Sequence, residues 1–451
     1  MLQRCWVVVL VGWAFAFGTA RAADRPDPEA VRRGERALLG HSYVPAFWSR
    51  DAYERLGRGG VAGLPAASPE ELRLRYGLHE APYPNKGLPM GLREGQFLLS
   101  TGLSFDCLVC HGGSVAGKSY VGLGNASLDL QAFLDDLGAA DGRNATSPIR
   151  FCNVRGTNEA GATAVYLLGF REPDLKLRKQ WLDLGVHDDL CEDVPAWWLL
   201  KKKKTMYHTG GGDARSVRSL MQFMMSPLNP PGAFEQAEAD FRDIRAYILS
   251  LEPPKYPFPI DPAKAAKGQE VFRANCQRCH GTYGPDWTYP NKIVPIDEIG
   301  TDRHRFDGLS AEFGRYYNQS WFAKERPGWL GDDYTSVVNP GYQAPPLDGV
   351  WATAPYLHNG SVPTVYHLLN SSARPRLFTR SYRTDADAYD PARLGWKVQE
   401  LSQPPDEKLP AVERRKVYDT HQPGRGNGGH TYGDHLTEEE RMAVIEYLKT
   451  L

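Results

Sequence analysis

Four cysteines of the chain fall into two copies of one pattern: Cys107-Leu108-Val109-Cys110-His111 and Cys276-Gln277-Arg278-Cys279-His280. Two thiols separated by two residues on a turn can reach the two vinyl groups of one porphyrin. The histidine directly behind them can then place a nitrogen under the iron. In a cytosolic protein a Cys-x-x-Cys more often serves thiol exchange or zinc. Here each pair is followed by histidine, the pattern is duplicated, and the N-terminus reads as an export signal. The expectation is two covalently bound c-type haems. Cys107, Cys110 and His111 would hold one and Cys276, Cys279 and His280 the other, with His111 and His280 as iron ligands.

The remaining titratable and thioether groups bear on the second axial position of each iron. Behind the second motif the only methionine is Met442, in a segment expected to close the domain rather than reach the iron. That leaves His304, His358, His367, His421, His430 and His435, and a nitrogen ligand in place of a thioether lowers the potential. Around the first haem His187, His208, Met206, Met221, Met224 and Met225 are all available. An open position is equally allowed there, and it is what oxygen or peroxide chemistry needs. His208, in Tyr207-His208-Thr209-Gly210, is either near the first haem or on the surface. Arg155 and Glu159 follow the first motif and could line its distal side. With His111 they form the candidate catalytic set. Cys152 and Cys191 either pair in an oxidising compartment or stand as two buried thiols.

The elements that must position these groups are partly legible. Asp261-Pro262 reads as a helix N-cap and first turn, leading through Gly268-Gln269-Glu270-Val271-Phe272 to Cys276. Thr437 and Glu440 make a capping box, with Val444, Ile445, Leu448 and Leu451 on an apolar stripe. A helix leading into Cys-x-x-Cys-His and an apolar helix closing the domain resemble the cytochrome c fold. In the first half Gly95-Gln96-Phe97-Leu98-Leu99 leads towards Cys107, and Phe241, Ile244, Ile248 and Leu251 form a closing stripe. Pro253, Pro254, Pro257 and Pro259 cannot continue that helix and read as a semi-rigid linker.

The expected organisation is a signal peptide at 1–22, an N-terminal c-type haem domain at 23–252, a Pro-rich linker at 253–260 and a C-terminal cytochrome c domain at 261–451. The expected fold class is mainly α, two cytochrome c-like haem domains with long loop insertions; 45 Gly and 34 Pro favour such insertions over a helical bundle. A length of 451 residues exceeds one ordinary domain. A net charge of -1 excludes a generally basic nucleic-acid binder.

Residues 1–4 carry a positive charge, residues 5–18 are apolar, and Ala20-Arg21-Ala22 suits a signal peptidase, with cleavage after Ala22. The alternative is an uncleaved anchor, for which the run is short against a bilayer core of about 30 Å. No second apolar run is long enough to span, so a periplasmic or secreted protein without a membrane span after signal cleavage is expected. Residues 201–204 are four lysines, read either as a solvated surface patch or as a docking patch for an acidic redox partner.

The segment Thr353-Ala354-Pro355-Tyr356-Leu357-His358-Asn359-Gly360-Ser361 resembles a motif of the bacterial di-haem cytochrome c peroxidase superfamily. In the peroxidases a methionine ligand follows that motif, whereas residues 365–372 here contain none. Gly428-Gly429-His430-Thr431-Tyr432-Gly433 and the closing Tyr447-Leu448-Lys449-Thr450-Leu451 are similar instead to the di-haem rubber oxygenase-like branch. That resemblance implies His430 as the sixth ligand of the second haem and His358 as a haem-environment residue. It further implies an N-terminal haem that activates peroxide or dioxygen, with electron transfer through the C-terminal haem. Peroxide, dioxygen or an apolar unsaturated compound would be the substrate, and a redox protein or small donor would be the partner. A plain electron carrier with both irons six-coordinate, and a redox subunit whose work is partner binding, remain as alternatives.

Overall fold

The computed structural model describes residues 26–61, 63–97, 100–143, 150–186, 189–325 and 333–451. The proposed signal peptide and His187 lie outside them. Helix outweighs strand, 38% against 12%, and no helix among the described residues is long and apolar enough to cross a membrane.

The chain starts with α1 (Pro28–Gly40), whose N-cap Asp27 accepts the amides of Glu29 and Ala30. A hairpin of β1 (Leu92–Phe97) and β2 (Ser100–Phe105) follows, in antiparallel register Leu92↔Phe105. The approach to the first Cys-x-x-Cys-His is therefore extended rather than helical. Gly95 pairs with Gly102 in that ladder, where neither residue favours a helix. The motif itself is the short α2 (Leu108–His111). Then come α3 (Ala160–Leu168) and the long α4 (Pro231–Ser250), which buries Phe241, Ile244 and Ile248.

In the second half α5 (Pro262–Asn275) is capped by Asp261, which accepts the amides of Ala263 and Lys264. It delivers Cys276 into α6 (Gln277–His280). The chain continues through α7 (Ile296–Ile299) and α8 (Val365–Leu369) to α9 (Glu438–Leu448) with its Thr437/Glu440 capping box.

Two helix crossings organise the molecule. A Cβ on Gly34 of α1 would lie 1.9 Å from the Asp243 carbonyl oxygen of α4. A Cβ on Gly268 of α5 would lie 1.8 Å from the Ala443 carbonyl oxygen of α9. In each half the first and last helices thus touch backbone to backbone at a glycine.

The apolar cores follow these pairs. One gathers Met90, Leu108, Met221, Met224, Phe234, Phe241 and Ile244. The other gathers Phe272, Trp351, Tyr389, Trp396, Val444 and Ile445. Segments cross between them: Tyr317 and Phe322 join the first core, and Trp198 joins the second. A third cluster, with Trp48, Leu56, Tyr76, Phe133 and Leu137, fills the insertion between α1 and α3. The Pro-rich stretch is not a bare spacer. Phe258 stacks on Tyr389 at 5.9 Å, and the Pro254 carbonyl accepts from Trp351 Nε1 at 2.8 Å.

Candidate haem sites

The second site is built at the C-terminus of α5. Cys276 caps that helix, and the His280 amide closes a turn onto the Cys276 carbonyl at 3.1 Å. The imidazole Nδ1 of His280 lies 2.8 Å from the Pro345 carbonyl. A proton on Nδ1 donated there leaves Nε2 as a free base, the form that binds metal. Tyr283 anchors the same turn, donating from its hydroxyl to the His280 carbonyl at 3.0 Å.

His430 faces His280. Their ring centres are 6.2 Å apart, with the planes at 59°. A metal held by one nitrogen of each ring needs about 2 Å per bond, which with the half-widths of two imidazoles comes to about 6 Å. Burial lowers the pKa of His280 and pushes that of His430 down to about 3, so both rings are neutral. Nδ1 of His430 makes no well-formed hydrogen bond, although the residue's own carbonyl and Asp434 favour a proton on the ring. Val294, Ile296, Ile299, Phe306, Tyr342 and Tyr432 cluster with Cys279 around this gap. Two thiols, two opposed neutral imidazoles and an apolar lining fit an iron porphyrin.

The other late histidines are engaged elsewhere. His367 Nδ1 pairs with Thr364 Oγ1 at 2.8 Å, His421 with Asp419 at 2.8 Å, and His435 with Asn275 at 3.0 Å. His358 is buried, stacked on Tyr342 at 4.2 Å, with Nε2 3.2 Å from the Tyr342 hydroxyl. Tyr342, a member of the cluster at the second site, links His358 to it. His208 lies 6.3 Å from His358, ring to ring, but its Nε2 is 2.9 Å from the Asp193 carbonyl.

The first site differs. Asp106 sets up the turn, accepting the Leu108 amide at 2.7 Å and Arg93 Nε at 2.5 Å. His111 is stacked on Trp197, with ring centres 4.8 Å apart and planes at 25°. Its Nδ1 makes no well-formed hydrogen bond, although the Pro195 carbonyl is near enough to favour a proton on the ring. Burial is the larger influence and pushes its pKa down to about 4. Among the described residues no second histidine ring faces His111. The neighbouring core is apolar: Trp197 packs on the cluster of Met90, Leu108, Leu168, Met221 and Met224, and Cys110 on that of Leu56, Tyr76 and Phe133. Cys107, Cys110 and a neutral His111 against such a core fit a second porphyrin.

Arg155 and Glu159 direct their hydrogen bonds to groups other than His111. Arg155 donates to the carbonyls of Ser127 at 2.9 Å and Leu74 at 2.6 Å and lies 4.7 Å over the Tyr382 ring. Glu159 accepts the amides of Leu190 at 2.5 Å and Cys191 at 3.0 Å through Oε2, while Oε1 is buried without a partner. Their partners are backbone groups, and none belongs to residues 107–111. Cys152 and Cys191 are separate buried thiols.

The first three lysines of the run are half-buried. Lys201 pairs with Glu252 at 2.7 Å and the Leu251 carbonyl at 3.1 Å. Lys202 Nζ pairs with Asp348 at 2.7 Å and lies over Tyr283 and Trp287. Burial pushes Lys203 down to about 8, and only Lys204 is exposed. Acidic and aromatic groups remote in sequence thus engage the first two lysines of the run. The turn Trp197–Lys202 touches His111 at one end and Tyr283, the anchor of His280, at the other. Trp197, read from the sequence as possible apolar lining of the first haem's pocket, stacks on His111, whereas Pro195 and Pro345 escaped the sequence reading, since nothing local to them marks a haem site.

A family model described as RoxA-like, cytochrome c-like matches residues 341–379. The matched stretch contains Tyr342, His358 and Arg374. A cytochrome c-like domain implies covalently bound haem, which agrees with the thiols and imidazoles of the second site. The match is short and carries the rubber oxygenase-like resemblance no further than this segment. The chain is 33% identical over 250 residues to the uncharacterized protein y4iM of Sinorhizobium fredii (strain NBRC 101917 / NGR234), covering 45% of this chain and 52% of that protein. It is 31% identical over 265 residues to the uncharacterized protein y4iJ of the same organism, covering 45% and 42%. The chain thus spans about half the length of these curated relatives, and what it shares with the matched family is the cytochrome c-like segment that flanks the His280–His430 gap.

Proposed function

We propose that the protein is an exported di-haem c-type cytochrome acting as an oxidoreductase, with peroxide or dioxygen activated at the N-terminal haem and electrons passing through the C-terminal haem. The observation that supports this reading is the asymmetry of the two histidines. His280 has His430 opposite at 6.2 Å, whereas His111 has no histidine opposite among the described residues. A haem with an open iron supplies the position at which such oxidants are reduced. The chain's own part is to hold His111 neutral, fix its plane against Trp197 and exclude water with the core around Met90, Leu168 and Met221. That apolar lining suits an unsaturated hydrocarbon as a co-substrate. A redox protein or small donor would feed the C-terminal haem.

One observation favours a second reading, a plain electron carrier. Met221, Met224 and Met225 are all buried in the first core, so a thioether is available to close that iron. Carbon monoxide added to the reduced, exported holoprotein separates the two. One molecule bound per chain, with two haems by intact mass, supports the oxidoreductase. Two haems with no carbon monoxide binding establish the carrier in its place.

A further inference from the structure

His430 stands on a loop held from outside. Its φ is 46° and that of Gly429 is 71°, both in the left-handed region. A Cβ on Gly429 would lie 2.2 Å from the Gly300 carbonyl carbon, so the loop rests directly on the end of α7. The His430 amide donates to the Ile299 carbonyl at 2.8 Å. Metal-bound histidines ordinarily donate their second ring N–H to a carbonyl or carboxylate, which sets the ring's aim. His430 lacks that bond, so its aim depends on the loop backbone.

Arg374 holds that backbone. It is 8% exposed, and all five of its N–H donors are accounted for by carbonyls. Nε donates to His367 at 2.9 Å. Nη1 donates to Asn427 at 2.6 Å and to Gly429 at 2.8 Å. Nη2 donates to Leu368 and to His430, each at 3.2 Å. The His367 and Leu368 carbonyls are C-terminal groups of α8 that the helix leaves unsatisfied. The other three belong to the histidine's own loop.

We propose that Arg374 is a positioning residue for His430: it ties the C-terminal carbonyls of α8 to three carbonyls of residues 427–430 and so holds the imidazole opposite His280. The proposal rests on the reading of His430 as the axial ligand. A lysine keeps the charge but offers three donors from one point, so it cannot reproduce a planar five-bond fork.

The test compares exported holoprotein carrying Arg374→Lys with His430→Ala and the unsubstituted chain. Haem content is read by intact mass, spin state by electron paramagnetic resonance and potential by redox titration. Arg374→Lys should keep both haems attached yet raise the high-spin fraction at the second haem about 10- to 100-fold, the usual cost of losing an outer-shell partner. Added imidazole should restore the low-spin signal. Unchanged spin state and potential in Arg374→Lys, with His430→Ala turned high-spin, overturn the role of Arg374 alone. A low-spin His430→Ala overturns the ligand reading itself. If Arg374→Lys does not accumulate, hydrogen exchange of the unsubstituted holoprotein in rising urea decides. Residues 365–374 and 427–430 should lose protection together with the low-spin signal, and separate opening overturns the proposal.

Discussion

His280 and His430 face each other across a gap of 6.2 Å between ring centres, and among the described residues neither Nε2 has a protein partner. The two come from remote parts of the chain, one on the α5–α6 turn and one on a left-handed loop resting on α7. Such an opposition of two neutral imidazoles has no use to the apoprotein, whose burial of unpaired nitrogens costs free energy.

Replacement of His430 by alanine is therefore expected to open the second iron. Electron paramagnetic resonance should show a low-spin signal converted to high-spin, with the first haem unaffected and both haems retained by mass. An unchanged spectrum would assign the axial position to another group.

Trp197 is expected to govern the first iron through His111. Trp197→Phe preserves a flat ring beside the imidazole, whereas Trp197→Ala leaves it free to turn. The alanine variant should shift the iron–histidine band in resonance Raman spectra and slow the peroxide-induced spectral change about tenfold. The phenylalanine variant should stay close to the parent. Equal behaviour of both variants and the parent would remove any role for the stacking.

Gly268→Ala and Gly34→Ala should each destabilise their half of the molecule. The added methyl must displace a backbone carbonyl at 1.8 Å and 1.9 Å respectively. Overpacking of this kind costs about 1–3 kcal/mol or more. Urea unfolding of the holoprotein measures it, and a loss below about 0.5 kcal/mol would mean that the crossings are looser than described.

Glu159 predicts a pH dependence. Its carboxyl is pushed up to about 8, first by burial and then by Asp189, from an ordinary value of 4.5. Between those values the folded protein keeps a proton that the unfolded chain releases. Stability therefore falls as pH rises from about 4.5 to about 8, by a few kcal/mol in all, and the loss is complete above that window. Glu159→Gln mimics the protonated form and should flatten the dependence. Urea unfolding near pH 5 and near pH 9 of parent and variant checks this, and equal slopes would contradict it.

How much of this was legible in sequence depended on whether the signal was local. The Asp261 cap, the Thr437/Glu440 box and the stripe around Val444 are short-range features, and the structure contains all three. The matching helix of the first half escaped notice, although Asp27-Pro28 precedes Gly34 at the same spacing as Asp261-Pro262 precedes Gly268. It sits far upstream of Cys107, so attention to residues just before the motif settled on Gly95 and its neighbours, which form a strand. The pairing of the lysine run with Asp348, Glu252, Tyr283 and Trp287 is a tertiary fact without a local signal. The hydrogen bonds of Arg155 and Glu159 are tertiary facts of the same kind, made with backbone groups remote in sequence. Arg374 left no trace in sequence, since its partners are carbonyls that every residue carries.

The crossing of α5 and α9 also sets an order of events during biosynthesis. Gly268 meets Ala443 only when the whole stretch between them has been made, so this crossing cannot close early. Cys276 and Cys279 lie at the end of α5 and wait in an unclosed chain throughout that interval. Covalent haem attachment at this site therefore has a time window built into the topology, and α9 acts as the latch that ends it.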